Sequence, residues 1–98
     1  MKIAVTTIAF SKNKFLRENL EKKFYDVKFN DLGKRLSNED LMDFLKDSEV
    51  AIIGLDIINE KTLKNLPNLR CIVKYGVGLD NIDLDACKKR NIEIGWEG

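Results

Sequence analysis

Arg70-Cys71-Ile72-Val73-Lys74-Tyr75-Gly76-Val77-Gly78-Leu79-Asp80-Asn81-Ile82-Asp83 decides how the rest of the chain is read. An apolar run ends in two glycines and a helical pattern over residues 84–90 follows, so the order is strand, turn, helix. Gly76 and Gly78 let consecutive backbone N–H groups turn toward one point with no side chain between them, which is the geometry of an anion site. In open α/β sheets, ligands gather outside the carboxyl ends of the strands, where this turn lies. A tight turn with no ligand explains the same two glycines equally well from spacing alone.

Outward from this stretch, apolar runs recur at residues 2–7, 26–30, 50–54, 70–74 and 92–95, separated by four helical patterns. Alternation of this kind predicts a parallel sheet with helices on both faces. Ile3-Ala4-Val5, Val50-Ala51-Ile52-Ile53 and Cys71-Ile72-Val73 are continuously apolar, as central strands covered on both sides are. Asp26-Val27-Lys28-Phe29-Asn30 alternates and suits an edge. Right-handed crossovers then favour a single α/β domain of three layers, flavodoxin-like, with five parallel strands in the order 2-1-3-4-5.

The helix starts share one device: an apolar residue, a polar cap, and a second apolar residue five positions after the first. Phe10-Ser11 with Phe15, Leu36-Ser37 with Leu41, Ile58-Asn59 with Leu63 and Ile82-Asp83 with Cys87 predict N-caps at Ser11, Ser37, Asn59 and Asp83, each with a hydrophobic staple. Asp40 adds a capping-box partner for Ser37. Leu16, Leu20 and Phe24 form the expected inner stripe of the first helix, and Leu41, Phe44 and Leu45 that of the second. Lys14 with Glu18, Arg17 with Glu21 and Glu18 with Lys22 are solvated i, i+4 pairs worth about 0.2 to 0.5 kcal/mol each. Pro67 ends the third helix after Leu66, and Asn91 suits a left-handed residue closing the fourth.

Composition narrows the function classes. Ninety-eight residues with 44% hydrophobic and 34% charged side chains predict one small globular domain. Seventeen basic residues against sixteen acidic ones, interspersed, offer no electrostatic case for nucleic acid or an anionic membrane. No run approaches the roughly 18 apolar residues of a membrane span, and residues 1–7 begin a strand rather than a signal peptide, so a cytoplasmic protein is expected. Cys71 and Cys87 read as small buried hydrophobes in a reducing compartment. The chain has no histidine, which removes the commonest general base and metal ligand.

Gly76-Val77-Gly78 is not a dinucleotide fingerprint, because Asn81 stands where the third glycine belongs and no later strand supplies the ribose-binding acid. NAD binding by these residues is therefore not expected. Asp56, past the strand over residues 50–54, is a possible functional carboxylate, but a solvated or turn-forming role is the favoured reading. The residues after the first strand, Thr6-Thr7-Ile8-Ala9, supply neither a flavin-phosphate loop nor the paired acids of a receiver domain. Asp80, Asp83 and Asp85 are spaced like a metal cluster, yet a cap and a helix dipole already account for Asp83 and Asp85. Trp96 lines a site or packs against something beyond residue 98, and the sequence leaves both open.

Residues 66–87, Leu66-Pro67-Asn68-Leu69 through Tyr75-Gly76-Val77-Gly78-Leu79-Asp80-Asn81-Ile82-Asp83 to Cys87, with Arg90-Asn91-Ile92-Glu93-Ile94 after them, resemble the N-terminal substrate-binding domain of D-isomer-specific 2-hydroxyacid dehydrogenases, the group that includes D-3-phosphoglycerate dehydrogenase. The likeness is strong over residues 50–94 and looser before. It implies that the turn at Gly76 to Gly78 offers backbone N–H groups to a substrate carboxylate while the turn at Gly54 to Asp56 faces it. Leu55, Asp56, Tyr75, Gly76, Val77 and Gly78 are thus the candidate substrate-binding residues. The family's NAD-binding Rossmann domain and its Arg, Glu and His catalytic residues have no counterpart here, and Asn91 replaces a usual glycine. The expectation is a truncated substrate-binding domain over residues 1–98, with no cofactor of its own, NAD in the parent, a small 2-hydroxy or 2-oxo acid as ligand, and no catalysis alone. An apolar face left uncovered would favour self-association or a homodimer. A free-standing, non-catalytic flavodoxin-like binding module is the alternative.

Overall fold

The computed structural model of the chain describes residues 2–24, 26–76 and 78–97. Five strands, β1 (Lys2–Val5), β2 (Asp26–Phe29), β3 (Val50–Ile53), β4 (Cys71–Tyr75) and β5 (Glu93–Glu97), pair in parallel in the order β2-β1-β3-β4-β5, as the alternation predicts. The helices are α1 (Ile8–Lys12), α2 (Lys14–Lys23), α3 (Asn38–Leu45), α4 (Glu60–Lys64) and α5 (Leu84–Lys89). Register places Ala4, Ala51, Ile72 and Ile94 in one row across the sheet and Val5, Ile52, Val73 and Gly95 in the next. Because side chains alternate along a strand, the first row faces α3, α4 and α5 and the second faces α1 and α2.

Three caps form as expected: Ser37 Oγ accepts from Asp40 N at 3.2 Å, Asn59 Oδ1 from Thr62 N at 3.0 Å, and Asp83 Oδ1 from Ala86 N at 3.0 Å. Their staple pairs all pack in the larger core cluster. The start at Ser11 is a correction. Ser11 is buried inside α1, where its hydroxyl accepts the N–H of Asn30 at 3.2 Å and is not available to cap. Asn13 caps a separate helix α2 by accepting from Leu16 N, and Phe15, the expected staple partner, is 73% exposed. Phe10 instead meets the Tyr75 ring edge to face at 5.4 Å.

Phe24 likewise leaves the expected stripe: it follows α2 in an extended conformation and is exposed, whereas Leu16 and Leu20 pack inward. The third expected helix ends at Lys64, with a tight turn from Leu66 N to Leu63 O before Pro67. At the end of α5, Asn91 takes φ 58°, with Asn91 N donating to Lys88 O and Ile92 N to Cys87 O. That is the Schellman pattern, and Ile92 and Cys87 add the apolar contact that accompanies it.

β4 departs from the expectation of cover on both sides. Ile72 and Lys74 are buried, but Cys71, Val73 and Tyr75 are only half-buried, because their face has the short α1 and the single longer helix α2 to cover it. β2 alternates between exposed and half-buried residues, as an edge strand should.

Candidate functional site

The site begins where β1 and β3 end. Thr6 N donates to Ile52 O at 2.9 Å, which carries the β1–β3 pairing one residue beyond the strand. Thr6 Oγ1 then donates to Asp56 Oδ2 at 2.5 Å. Gly54, between them, packs closely on the neighbouring Thr7, where an added Cβ would stand a tight 3.3 Å from the Thr7 side chain. Asp56 is thereby buried, at 7% exposure, so of the solvated or turn-forming role expected from the sequence only the turn position holds. Its hydroxyl partner compensates the desolvation that an unpaired carboxylate would suffer.

The turns after β3 and β4 are locked to each other. Lys74, 1% exposed, donates from Nζ to Asn81 Oδ1 at 2.6 Å, and Asn81 Nδ2 donates to Gly54 O at 3.0 Å and Asp56 O at 2.6 Å. Backbone bonds continue the seam, from Ile58 N to Asn81 O at 2.9 Å and from Asp83 N to Ile58 O at 2.8 Å. One amide side chain thus uses both its acceptor and its donors to hold two loops, with a buried ammonium as its third partner.

Between the loops lies a cleft of about 370 Å³, lined by Thr6, Thr7, Arg35, Leu55, Asp56, Lys74, Tyr75 and Gly76 among others. Of the candidate residues, Leu55, Asp56, Tyr75 and Gly76 meet in this cleft. Gly78 is not among the described residues lining it, and Val77 lies outside the described residues. Gly76 (φ 133°) and Gly78 (φ 79°) both adopt backbone conformations that favour glycine. The side chain of Trp96 also lies outside the description. Thr6, Arg35, Lys74 and Asn81 were not singled out from the sequence. Lys74 is indistinguishable there from the polar end of an apolar run, and Asn81 shows only as a departure from a glycine pattern.

Two cations and one carboxylate line the cleft, so its charge suits a small anionic molecule. Asn81, at the position of a fingerprint's third glycine, carries instead the side chain that locks the two loops. Among the described residues no cluster of three or more His, Cys, Asp or Glu is placed to hold a metal ion, and no helix is long and apolar enough to cross a membrane. Both cysteines are free, and burial pushes both thiols above their ordinary pKa, with Glu93 adding to the effect at Cys71 and Asp83 at Cys87.

Residues 3–95 match the family model of the D-isomer specific 2-hydroxyacid dehydrogenase catalytic domain. A glycerate dehydrogenase from Hyphomicrobium methylovorum is 34% identical over 76 residues, which are 72% of this chain and 23% of that enzyme. The NAD+-bound 3-phosphoglycerate dehydrogenase of Entamoeba histolytica superposes with a TM-score of 0.82 at 34% identity, covering 98% of this chain and 32% of that one. The D-lactate dehydrogenase of Escherichia coli shares the fold, with a TM-score of 0.79 at 24% identity over 99% of this chain and 31% of that one. The chain thus spans about a third or less of the length of each of these relatives.

Proposed function

Because the chain belongs to the D-isomer specific 2-hydroxyacid dehydrogenase family, we propose that its cleft is the half-site that holds the carboxylate of a small 2-hydroxy or 2-oxo acid. The observation that carries this reading is the meeting of two loops at the carboxyl edge of a parallel sheet, with Gly76 at a positive φ beside Leu55 and Asp56. In this reading the turn over residues 76–78 receives the carboxylate, and Leu55 and Tyr75 form apolar walls. Asp56 and Asn81 position the two loops. Residues 1–98 act as one substrate-binding domain. The NAD and the hydride-transfer groups belong to a parent sequence beyond these residues, so the domain binds and orients but does not turn over by itself. A cytoplasmic, reducing location accords with two free thiols that burial keeps protonated.

An amide-resolved titration of the isotopically labelled 98-residue protein with glycolate tests the reading. Resonances of residues 54–56 and 75–78 are expected to move together and saturate. No movement at the glycine turn with intact spectra elsewhere sinks it. Incubation with NADH and several 2-oxo acids is expected to give no turnover.

The family likeness also supports self-association. Phe10, Leu16, Leu20, Ile52 and Tyr75 line an apolar groove of about 380 Å³ on the thinly covered face. Two such grooves packing together would give a homodimer, and light scattering that shows a strict monomer at high concentration overturns it.

A further inference from the structure

Resting on that reading, we propose that Arg35 is a specificity-determining residue that selects 2-hydroxy or 2-oxo acids bearing a second anionic group. Three charged side chains line the cleft, and two are committed internally: Asp56 to Thr6 and Lys74 to Asn81. Arg35 is exposed and spends one Nη2 bond on Leu55 O at 3.1 Å. A guanidinium is a cation with five N–H donors, so the bond to Leu55 O leaves Arg35 with donors for a ligand.

Its loop is held in place. Buried Asn30 donates from Nδ2 to Thr6 O at 2.9 Å and to Lys34 O at 3.0 Å, and accepts the Leu32 N–H at 3.1 Å. The residue preceding Arg35 is therefore tied to the end of β1, at the cleft wall. The bond to Leu55 O then sets the guanidinium over the turn that follows β3. The glycine turn follows β4, the neighbouring strand, and Gly76 lines the same cleft as Arg35 and Leu55. An acid held by its carboxylate at that turn can therefore present a second anionic group to the guanidinium across the cleft. The planar fork accepts a carboxylate or a phosphate in two parallel hydrogen bonds, and the shared requirement is a second negative charge.

The test compares glycolate, malate and 3-phosphoglycerate in the amide-resolved titration, at constant ionic strength, on the wild-type chain, Arg35→Ala and Arg35→Lys. Malate or 3-phosphoglycerate is expected to bind about fivefold tighter than glycolate, the factor equivalent to about 1 kcal/mol for an exposed ion pair. A gain in the malate arm identifies a carboxylate site, and a gain in the phosphoglycerate arm alone a phosphate site. The gain is expected to vanish in Arg35→Ala, to persist in part in Arg35→Lys, and to be unaffected by removing a distant charge with Lys46→Ala. Equal affinities for all three acids, or a gain that survives Arg35→Ala, overturns the role of Arg35 while leaving the carboxylate half-site standing. If no acid moves the glycine turn, the half-site and the selectivity fall together.

Discussion

The two faces of the sheet are built to different depths. On the side of α3, α4 and α5, fourteen of the described residues, among them Leu41, Leu45, Ile53, Leu63 and Ile72, form one buried apolar cluster. On the side of α1 and α2 the buried apolar cluster among the described residues consists of Ile3, Val5, Phe10 and Ile52, with half-buried apolar neighbours around them. The thick face carries the three staples and the three caps that form as expected, and each of its helices enters on a defined apolar pair. The thin face has one short helix with no side-chain cap bond and a second whose cap lies elsewhere than the pattern suggests. A cleft at the carboxyl edge needs one rigid wall, and the thick face supplies it through Ile58, Ile82 and Asp83 next to the Asn81 lock.

The largest effect is expected from truncating the thick face. Leu45→Ala or Ile72→Ala removes a fully buried side chain and leaves a cavity, at a cost of about 2 to 5 kcal/mol in urea unfolding. Leu20→Ala on the half-buried thin face is expected to cost about 1 kcal/mol or less, since water already reaches part of that side chain. Comparable losses at Leu45 and Leu20 would abolish the distinction between the faces.

Next in size is the lock. Asn81→Ala strips Lys74 Nζ, Gly54 O and Asp56 O of their partner at once, and each buried polar group left unsatisfied costs about 1 to 3 kcal/mol. Local relaxation and entering water reduce the sum, so the expected loss is about 2 to 4 kcal/mol. Hydrogen exchange should rise at Ile58 and Asp83, whose N–H groups form the seam. A variant with unchanged exchange there shows that the backbone bonds hold the loops without Asn81.

The architecture was readable from sequence because its signals are local. Apolar runs at regular spacing specify strands, and a polar residue before an apolar pair specifies a cap wherever nothing distant competes for that side chain. Ser11 misleads because Asn30, on the far side of α2 in sequence, claims its hydroxyl. Leu55, Asp56, Tyr75 and Gly76 were legible as residues at strand ends, which a parallel sheet gathers at one edge. The Thr6 to Asp56 bond and the Asn81 bridge to Gly54 were not, since a hydrogen bond between segments so far apart leaves no periodic trace. Neither was Arg35, whose place depends on how Asn30 folds a loop of irregular structure.

Cysteine chemistry gives a smaller, sharper comparison. Cys87 is buried in the thick-face cluster, whereas Cys71 is half-buried and, by alternation along β4, stands with Val73 and Tyr75 on the thin face. Burial raises both thiols, so little thiolate exists near neutral pH and labelling by a disulfide reagent should be slow in the folded protein. Cys71 is expected to react first, and denaturant should equalise the two rates. Earlier reaction at Cys87 would mean that the thick face opens more readily than its packing implies.

The smallest effect lies at the edge of the thin face. Arg17 grips Asp31 with Nη1 to Oδ1 at 2.6 Å and Nη2 to Oδ2 at 3.1 Å, and lies over the Phe29 ring at 4.1 Å. The hydrogen bonds from Arg17 hold the Asp31 carboxyl below its usual pKa, with burial opposing and the Arg17 charge assisting. A carboxyl depressed in the folded state stabilises the fold above its unfolded pKa, about 4, and loses that contribution as pH falls through the lower folded value. Asp31→Asn should therefore narrow the gap in stability between pH 6 and pH 2 relative to wild type, as followed by urea midpoints. The pair is exposed, so added salt should shrink the difference further. If the variant and wild type lose stability in parallel on acidification, the ion pair does not brace this face, and the cation stacked on Phe29 acts through packing alone.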